Sequence, residues 1–263
     1  MEVIAGKQQF VSFPFFKLDP AWRRLPEIER ARGKAEFRSV VEAAQEKMIV
    51  LPYSLIGMRG DSDFFFWRVS YKLEDFEDMT AQLLNTGVGK YLTQPYSYLS
   101  MTRRSIYVEE HQHEGQEGSR LFIVPGLNKY VFVYPFIKTR EWYALDKKVR
   151  QEAMTEHIAV GHKYTSVKIN TTYSYGLDDQ EFVLAFESDK PEDFLDLVME
   201  LRESKASAYT LKDTPTFTGI HRPIGDILDL LDKSATERPS LKKVLLADQP
   251  RFDEGLPEGA KRR

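Results

Sequence analysis

Two stretches of the chain share one pattern: FFFWRVSYKLEDFEDMTAQLLNTGVGKY at 64–91 and FVLAFESDKPEDFLDLVMELRESKASAY at 182–209. They align without a gap, so that Phe64 matches Phe182 and the motif Glu-Asp-Phe recurs at the same place in both. Each stretch predicts a strand, a turn and a helix that opens with acidic residues, which suit the positive end of the helix dipole. The gapless match indicates an internal duplication.

The segments that flank the repeat follow one plan in both halves. In the first half we predict strands at 8–18, 48–58 and 95–101, and a helix at 25–47. In the second half we predict strands at 129–138, 166–175 and 214–220, and a helix at 141–164. Each half therefore has the ferredoxin-like order of strand, helix, strand, strand, helix, strand. We expect an α+β fold in which the two ferredoxin-like units form a dimeric α+β barrel within one chain.

The repeat also predicts the domain organisation. Residues 1–106 form the first ferredoxin-like half, and residues 129–232 form the second. Between them, 107–128 is a polar, glycine-rich connecting loop, long enough to carry function of its own. The segment 233–263 is a polar tail, which we expect to be solvated.

The composition excludes several classes of protein. The net charge of −3, with lysine and arginine scattered along the chain, argues against a nucleic-acid surface. No apolar run is long enough to cross a membrane, and MEVIAGKQQF lacks the apolar core of a signal peptide, so we expect a cytoplasmic protein. Because the chain has no cysteine, a metal would need histidine, tyrosine or carboxylate ligands. The 17 Phe and 13 Tyr fit either a large core or a pocket for a flat ligand.

One histidine stands on an apolar face of the predicted helix 141–164. The row at four-residue spacing is Leu145, Val149, Ala153, His157 and Gly161. Such positions share a helix face, so His157 is expected to point inward.

The duplication separates His157 from the shared scaffold, because its offset places Ser39 at the corresponding position of the first half. A single inward imidazole can be an ordinary core residue. It can also bind a metal whose other ligands come from elsewhere, and an iron porphyrin fits that second interpretation.

Four segments carry a resemblance to a known family: KYVFVYPFIKTREWYAL, MTEHIAVGHKY, NTTYSYGLDD and DTPTFTG. They resemble the haem-binding half of the chlorite dismutase-like superfamily, and most closely its branch that completes haem b from iron coproporphyrin III. The resemblance is specific over 129–223, weaker over the first half, which is expected to hold no haem, and absent from the tail. The family fold is a duplicated ferredoxin-like barrel that assembles into homopentamers.

The resemblance implies roles for individual residues. His157, in the EH-x₃-G motif, would be the proximal ligand of the haem iron. Tyr134, in the YP[MF] strand motif, would be the redox-active residue that takes hydrogen from a propionate. Lys138 would face that propionate, and Ser207 would contact a propionate.

A distal base is also implied, in the loop before the YPF strand. The match places His111 there, with His113 as a close rival because this loop is longer than in the family. Arg120, in the same loop, is a further alternative to a histidine.

The implied activity is that of an oxidoreductase of haem biosynthesis. Hydrogen peroxide would oxidise the bound iron coproporphyrin III, which would be both substrate and cofactor. Two of its propionates would then lose carbon dioxide through a tyrosyl radical, giving haem b. Besides this small molecule, the implied partners are other copies of the chain, in a homopentamer, and transiently a coproporphyrin ferrochelatase.

Other activities of the superfamily are possible alternatives. Chlorite dismutases resemble VKRKLYHSTGLDD, where this chain reads VKINTTYSYGLDD, so Ile169 stands at the position of their arginine. This difference disfavours chlorite turnover. A haem peroxidase, or a carrier or sensor that binds haem through His157 without turnover, is the other alternative. Tyr134 beside Lys138 argues against a carrier, which does not need an oxidisable tyrosine next to a lysine.

Overall fold

Strands and helices follow one another as the duplication predicts. A computed structural model describes residues 7–105, 107 and 122–232 of the chain. The strands in these residues are β1 (Phe10–Leu18), β2 (Ile49–Ser54), β3 (Phe64–Ser70), β4 (Leu92–Met101), β5 (Tyr130–Lys138), β6 (Lys168–Tyr173), β7 (Phe182–Ser188), β8 (Thr210–Lys212) and β9 (Phe217–His221). The α-helices are α1 (Glu27–Gln45), α2 (Glu74–Leu84), α3 (Arg140–Ala144), α4 (Lys147–Lys163), α5 (Pro191–Glu203) and α6 (Ile224–Asp232).

The order of the strands in the sheet repeats between the halves. The first half has the order β4-β1-β3-β2, and the second has β6-β7-β5-β9. Within each half the first strand pairs with the third and the fourth, and the second pairs with the third, always antiparallel. This is the ferredoxin-like arrangement, present twice.

The two sheets join at both edges and close a barrel. Met101 of β4 pairs with Tyr173 of β6, and Tyr53 of β2 pairs with His221 of β9. Eight strands therefore form a closed ring, and β8 pairs with β5 outside it. The predicted α+β fold of two ferredoxin-like units in one barrel is confirmed.

Side chains alternate between the inside of the barrel and its outer face. Inside, the ring of Phe15 lies 4.7 Å from that of Phe65 and 4.0 Å from that of Phe217, between ring centroids. The next residue along the chain, Phe16, points outward and packs with Phe64 beneath the helices of the first half. Each half thus has an outer layer, which we define as the side chains between its sheet and its two long helices.

The helix predicted at 141–164 is divided into α3 and α4. Leu145 and Asp146, which separate them, have ψ angles of 148° and 144°, so the backbone is extended there. The prediction of one continuous helix was wrong. Asp146 lies at the N-terminus of α4, where a carboxylate suits the helix dipole.

Within the part of the chain that the structure describes, no helix is both long enough and apolar enough to cross a bilayer. The domain boundaries at 106, 128 and 232 stay a prediction. Most of the connecting loop and all of the tail 233–263 lie outside the described residues.

Candidate functional site

The strand register allows the outer layers of the two halves to be compared residue by residue. Phe16 pairs with Phe64, and Phe136 pairs with Phe182, which is the counterpart of Phe64 in the repeat. Phe16 and Phe136 are therefore equivalent, and the positions along β1 and β5 correspond from there.

The outer layer of the first half is filled with apolar side chains. Leu18, Phe37 and Phe66 are fully buried in it, and the rings of Phe37 and Phe66 lie 6.3 Å apart. Helix α6 adds Ile227 and Leu231 to the same cluster. Around Phe37 the layer is therefore filled by the protein's own side chains.

Burial along the long helices shows which of their positions correspond. The residues of α1 buried beneath the helix are Gly33, Phe37 and Val41. At the same spacing α4 has Ala153, His157 and Gly161, which are buried or half-buried. His157 is thus the counterpart of Phe37, and the prediction that it corresponds to Ser39 was wrong, because Ser39 is exposed.

The apolar row predicted on α4 holds only in part. Val149 is 46% exposed, although it belongs to the same row as Ala153 and His157. A step of four residues turns about 40° beyond a full helical turn, so such a row drifts around the helix. Val149, two steps before His157, has therefore turned out to solvent.

The outer layer of the second half is less filled than that of the first. A residue of β6 shows this most directly. Val50 pairs with Arg68, and Ile169 pairs with Phe186, which is the counterpart of Arg68 in the repeat. Val50 and Ile169 are therefore equivalent. Val50 is 2% exposed, whereas Ile169 is 45% exposed. The Ile169 side chain nevertheless lies beneath α4, since its Cδ1 is 3.4 Å from where a Cβ on Gly161 would be. We interpret an apolar side chain that is half exposed beneath a helix as the wall of a cleft between α4 and β6.

His157 lies one helical turn before Gly161 and has a neutral imidazole. Its Nδ1 is buried and has no hydrogen-bond partner among the described residues. Burial, and to a smaller extent the charge of Lys138, lower the pKa of His157 to about 4. A buried polar atom without a partner costs roughly 1–3 kcal/mol, and the neutral imidazole is the form that binds metals. The ring therefore fits a metal ligand.

Lys138 is buried at the end of β5, where the first half has Leu18. Its Nζ donates a hydrogen bond to the carbonyl oxygen of Ala206 at 2.6 Å and lies 4.7 Å from the ring centroid of Trp142. Burial lowers the pKa of Lys138 to about 8, although the charge of Glu181 opposes the shift. The ammonium is thus protonated at neutral pH, and its attraction for a carboxylate is strengthened by the apolar surroundings.

Tyr134 lies on the same outer face of β5 as Lys138. Its ring stacks on that of Phe186, with centroids 5.8 Å apart and planes 15° apart. Burial raises the pKa of Tyr134 well above its usual value, so the phenol keeps its proton.

Ser207 is half-buried in a short 3-10 helix, Lys205–Tyr209, that packs against α4. Its neighbour Ala206 accepts the hydrogen bond from Lys138. Four of the predicted site residues, Tyr134, Lys138, His157 and Ser207, thus belong to the sheet and helices around the second outer layer.

The other predicted site residues lie outside the described residues: His111, His113 and Arg120. Among the residues that the structure describes, no group of three or more histidine, aspartate or glutamate side chains could hold a metal ion. An iron porphyrin would bring four nitrogen ligands of its own, so that His157 would be needed for only one further ligand.

Three residues around Lys138 were not predicted from the sequence. Trp142 contacts the ammonium, Glu181 accepts the backbone N–H of Lys138 at 2.8 Å, and Tyr143 binds Glu181. Trp142 could have been found, because Trp22 occupies the corresponding place after β1 and both are buried. Glu181 carries a similar signal, since the acidic Asp63 stands at the corresponding place before β3 and accepts the N–H of Leu18 in the same way.

Comparison with known proteins gives a consistent answer. A family model described as chlorite dismutase matches residues 8–222. The coproheme decarboxylase of Mycolicibacterium smegmatis is 28% identical over 194 residues, which cover 73% of this chain and 81% of that protein. A mutant chlorite dismutase from Candidatus Nitrospira defluvii superposes with a TM-score of 0.78 at 28% identity, covering 86% of this chain and 96% of that one. A haem-binding protein from Thermus thermophilus gives 0.75 at 25% identity, covering 86% and 95%.

The family model spans both halves of the barrel and ends just before α6. The resemblance noted in the sequence is therefore confirmed at the level of the family. The chain belongs to the chlorite dismutase family.

Proposed function

We propose that the chain is a coproheme decarboxylase of haem biosynthesis, which converts two propionates of iron coproporphyrin III to vinyl groups and so forms haem b. Hydrogen peroxide is the oxidant, and a tyrosyl radical at Tyr134 acts on the propionate. The observation that carries the proposal is the replacement of Leu18 and Phe37 by Lys138 and His157 in an outer layer that has an open cleft. The relative of the same name, at 28% identity, supports it.

His157 is the proposed ligand of the iron. The fit rests on its buried and unpartnered Nδ1 and on its neutral ring. The cleft between α4 and Ile169 offers apolar surface, which suits the face of a porphyrin. When bound, the iron porphyrin supplies the oxidising power that peroxide generates.

Lys138 is the proposed partner of the reacting propionate. It is a cation with limited exposure, and a carboxylate near it would be held by charge and hydrogen bonding together. Ser207, next to the residue that already binds Lys138, is proposed to contact a propionate as well.

Tyr134 is the proposed hydrogen acceptor. Because burial holds its phenol protonated, it enters the reaction by losing one electron and one proton together. Its radical then takes a hydrogen atom from the β-carbon of the propionate. Each propionate gives up carbon dioxide, one proton and two electrons in becoming a vinyl group.

A distal base that takes a proton from peroxide completes the proposed machinery, since a group with a pKa near neutrality suits that task. His111 and His113 stay the candidates, with Arg120 as the alternative, all outside the described residues. A homopentameric assembly, a transient contact with a ferrochelatase and residence in the cytoplasm are proposed on the family resemblance alone.

Two other functions are supported by particular observations. The solved chlorite dismutases share the fold and 28% identity, but Ile169 at their arginine position is an apolar side chain that cannot support chlorite chemistry as a cation would. The haem-binding protein from Thermus thermophilus supports a carrier. A carrier does not account for Tyr134 and Lys138 on one strand face near the histidine.

The test is mass spectrometry of the porphyrin after apoprotein is mixed with iron coproporphyrin III and titrated with peroxide. Two successive losses, each of one carbon dioxide and two hydrogens, are expected. Tyr134→Phe should bind the porphyrin and give neither loss, whereas the matched control Tyr130→Phe, on the same strand face, should give both. Binding followed by bleaching without loss of mass would favour a carrier or peroxidase, and normal turnover by Tyr134→Phe would contradict the radical role.

A further inference from the structure

A carboxylate at the end of the first strand is common to both halves of the barrel. The Lys138 N–H donates to Glu181 Oε2 at 2.8 Å, and the Leu18 N–H donates to Asp63 Oδ2 at 2.9 Å. Because this bond occurs in both copies, it belongs to the scaffold and needs no functional explanation.

The second partner of this carboxylate differs between the halves. Asp63 binds the ammonium of Lys17, with an N–O distance of 2.8 Å. Glu181 instead accepts the hydroxyl of Tyr143, with an O–O distance of 2.6 Å. The Tyr143 oxygen lies 2.6 Å from the Tyr175 oxygen. Since the Tyr143 proton points to Glu181, Tyr175 is the donor of that second bond.

The two tyrosines lead from the surroundings of Lys138 to the surface. Tyr143 directly follows Trp142, whose ring contacts the Lys138 ammonium. Tyr175 is 49% exposed, and its ring lies 6.4 Å from that of Tyr143, between centroids. A row of hydrogen-bonded groups therefore connects a half-buried carboxylate beside the candidate site with solvent.

We propose that Tyr143 and Tyr175 form a redox-active pair beside the candidate site, with Glu181 as the proton acceptor. This proposal rests on the proposed function in one respect only: its oxidant is an iron porphyrin that peroxide has oxidised. One electron passes from Tyr143 to that oxidant, the phenolic O–H bond breaks, and the proton bonds to Glu181 Oε2. Tyr175 then transfers its hydroxyl hydrogen atom to the Tyr143 oxygen, so that the radical reaches the surface.

At the surface a soluble thiol or ascorbate donates a hydrogen atom to the Tyr175 oxygen, and Glu181 releases its proton to water. The pair thus removes oxidising equivalents that have not reacted with a propionate. Tyr134 cannot serve in the same way, because a radical there acts on the substrate.

The chain contains a matched control in Tyr96, whose hydroxyl donates to Asp61 Oδ2 at 2.8 Å. Asp61 is also bound by the Arg59 guanidinium, which lowers the pKa of Asp61 to about 2. A carboxylate held in this way accepts a proton poorly. The hydrogen-bond partners described for Glu181, a backbone N–H and a phenol, are uncharged, and the Lys138 ammonium acts on Glu181 by charge without a salt bridge among the described contacts.

The test uses the porphyrin-free protein and hexachloroiridate(IV) as a one-electron oxidant. Stopped-flow absorbance gives the rate of oxidation, and peptide mass spectrometry gives the residues oxidised. Tyr175 should be modified first in the wild type. Tyr143→Phe and Glu181→Gln should each slow its oxidation by about tenfold or more, because the internal base is lost, while Tyr96→Phe should have no effect.

Equal oxidation of Tyr175 in the wild type, Tyr143→Phe and Glu181→Gln would overturn the proposal, because exposure alone would then explain its reactivity. Glutamine still accepts the Lys138 N–H, and thermal unfolding checks that each variant is folded. If Glu181→Gln does not fold, Tyr143→Phe decides the outcome. No porphyrin is present, so failure here leaves the decarboxylase proposal intact, and failure of that proposal leaves this result intact.

Discussion

The two halves of the barrel share a backbone plan and differ in what occupies their outer layers. In the first half the layer contains Leu18, Phe37 and Val50, all buried. The corresponding residues of the second half are Lys138, His157 and Ile169. One copy therefore has a closed apolar core, and the other has a cation, an imidazole and an open apolar cleft at the same places.

This difference separates stability from function. Because one fold is built twice, a side chain that recurs in both copies is explained by packing, as with Trp22 and Trp142. A polar side chain that replaces an apolar counterpart weakens the core of its half and requires another reason. By this criterion we propose that His157 and Lys138 serve function, and that the packing of the first half supports the stability of the barrel.

The largest expected effect is a loss of stability when the outer layer of the first half is altered. Phe37→Ala should lower the free energy of unfolding by about 4 kcal/mol, since it leaves a cavity in a packed core. His157→Ala, at the equivalent place, should cost under about 1 kcal/mol because the neighbouring cleft is already open. Urea denaturation of both porphyrin-free variants checks the pair. Equal losses would show that the two layers are filled alike.

The second largest effect is on the pH dependence of stability, which should show that His157 is neutral in the folded chain. Its pKa is about 4 in the folded chain and about 6.5 when unfolded, so the unfolded chain binds more protons between these values. The free energy of unfolding should therefore fall by on the order of 3 kcal/mol as pH decreases from 6.5 to 4. His157→Phe should remove this part of the slope. If both proteins show the same slope over that window, the imidazole is not held neutral.

Lys138→Met should weaken binding of iron coproporphyrin III by about tenfold, the loss of roughly 1.4 kcal/mol of charge-assisted hydrogen bonding. The affinity of the wild type should decrease as pH rises past about 8, where Lys138 loses its proton, and the variant should not show this decrease. Soret titration measures both. The tetramethyl ester of the porphyrin is the control, because wild type and variant should bind it alike. If Lys138→Met preferred the free acid over the ester as strongly as the wild type does, the role of the lysine would be contradicted.

The smallest effect concerns a matched apolar pair. Ile169→Ser should change the free energy of unfolding by less than about 1 kcal/mol, because the side chain is already half exposed. Val50→Ser should cost about 2 kcal/mol or more, since it buries a hydroxyl in a closed core. Only Ile169→Ser should weaken porphyrin binding. If Val50→Ser weakened porphyrin binding and Ile169→Ser did not, the porphyrin would bind in the first half, and the proposed site would be wrong.

The sequence predicts the fold well, because the repeat at 64–91 and 182–209 fixes the period of both units. It predicts helix registration less well. The gapless offset holds for β3 and β7 but not for α1 and α4, so Ser39 was matched with His157 although Phe37 is its counterpart. Local patterns also do not show that Leu145 and Asp146 break a helix.

The site could be predicted only where a residue contradicts its local pattern, as a histidine does on an apolar helix face. Glu181 and Tyr143 are ordinary polar residues in their own segments. Their contact arises when α3 meets the turn before β7, which no local periodicity encodes. The resemblance to the family supplied Tyr134, Lys138 and Ser207, whose roles remain predictions.

The most direct test of the central claim is a Soret titration of wild type and His157→Phe with iron coproporphyrin III. His157→Phe gives the second half the side chain found in the first. The wild type should saturate at one porphyrin per chain, and His157→Phe, folded as judged by circular dichroism, should bind at least about 100-fold more weakly, since even the partners of a metal ligand contribute 10–100-fold. Equal affinity of the two proteins would contradict the claim that the open layer of the second half holds an iron porphyrin through His157.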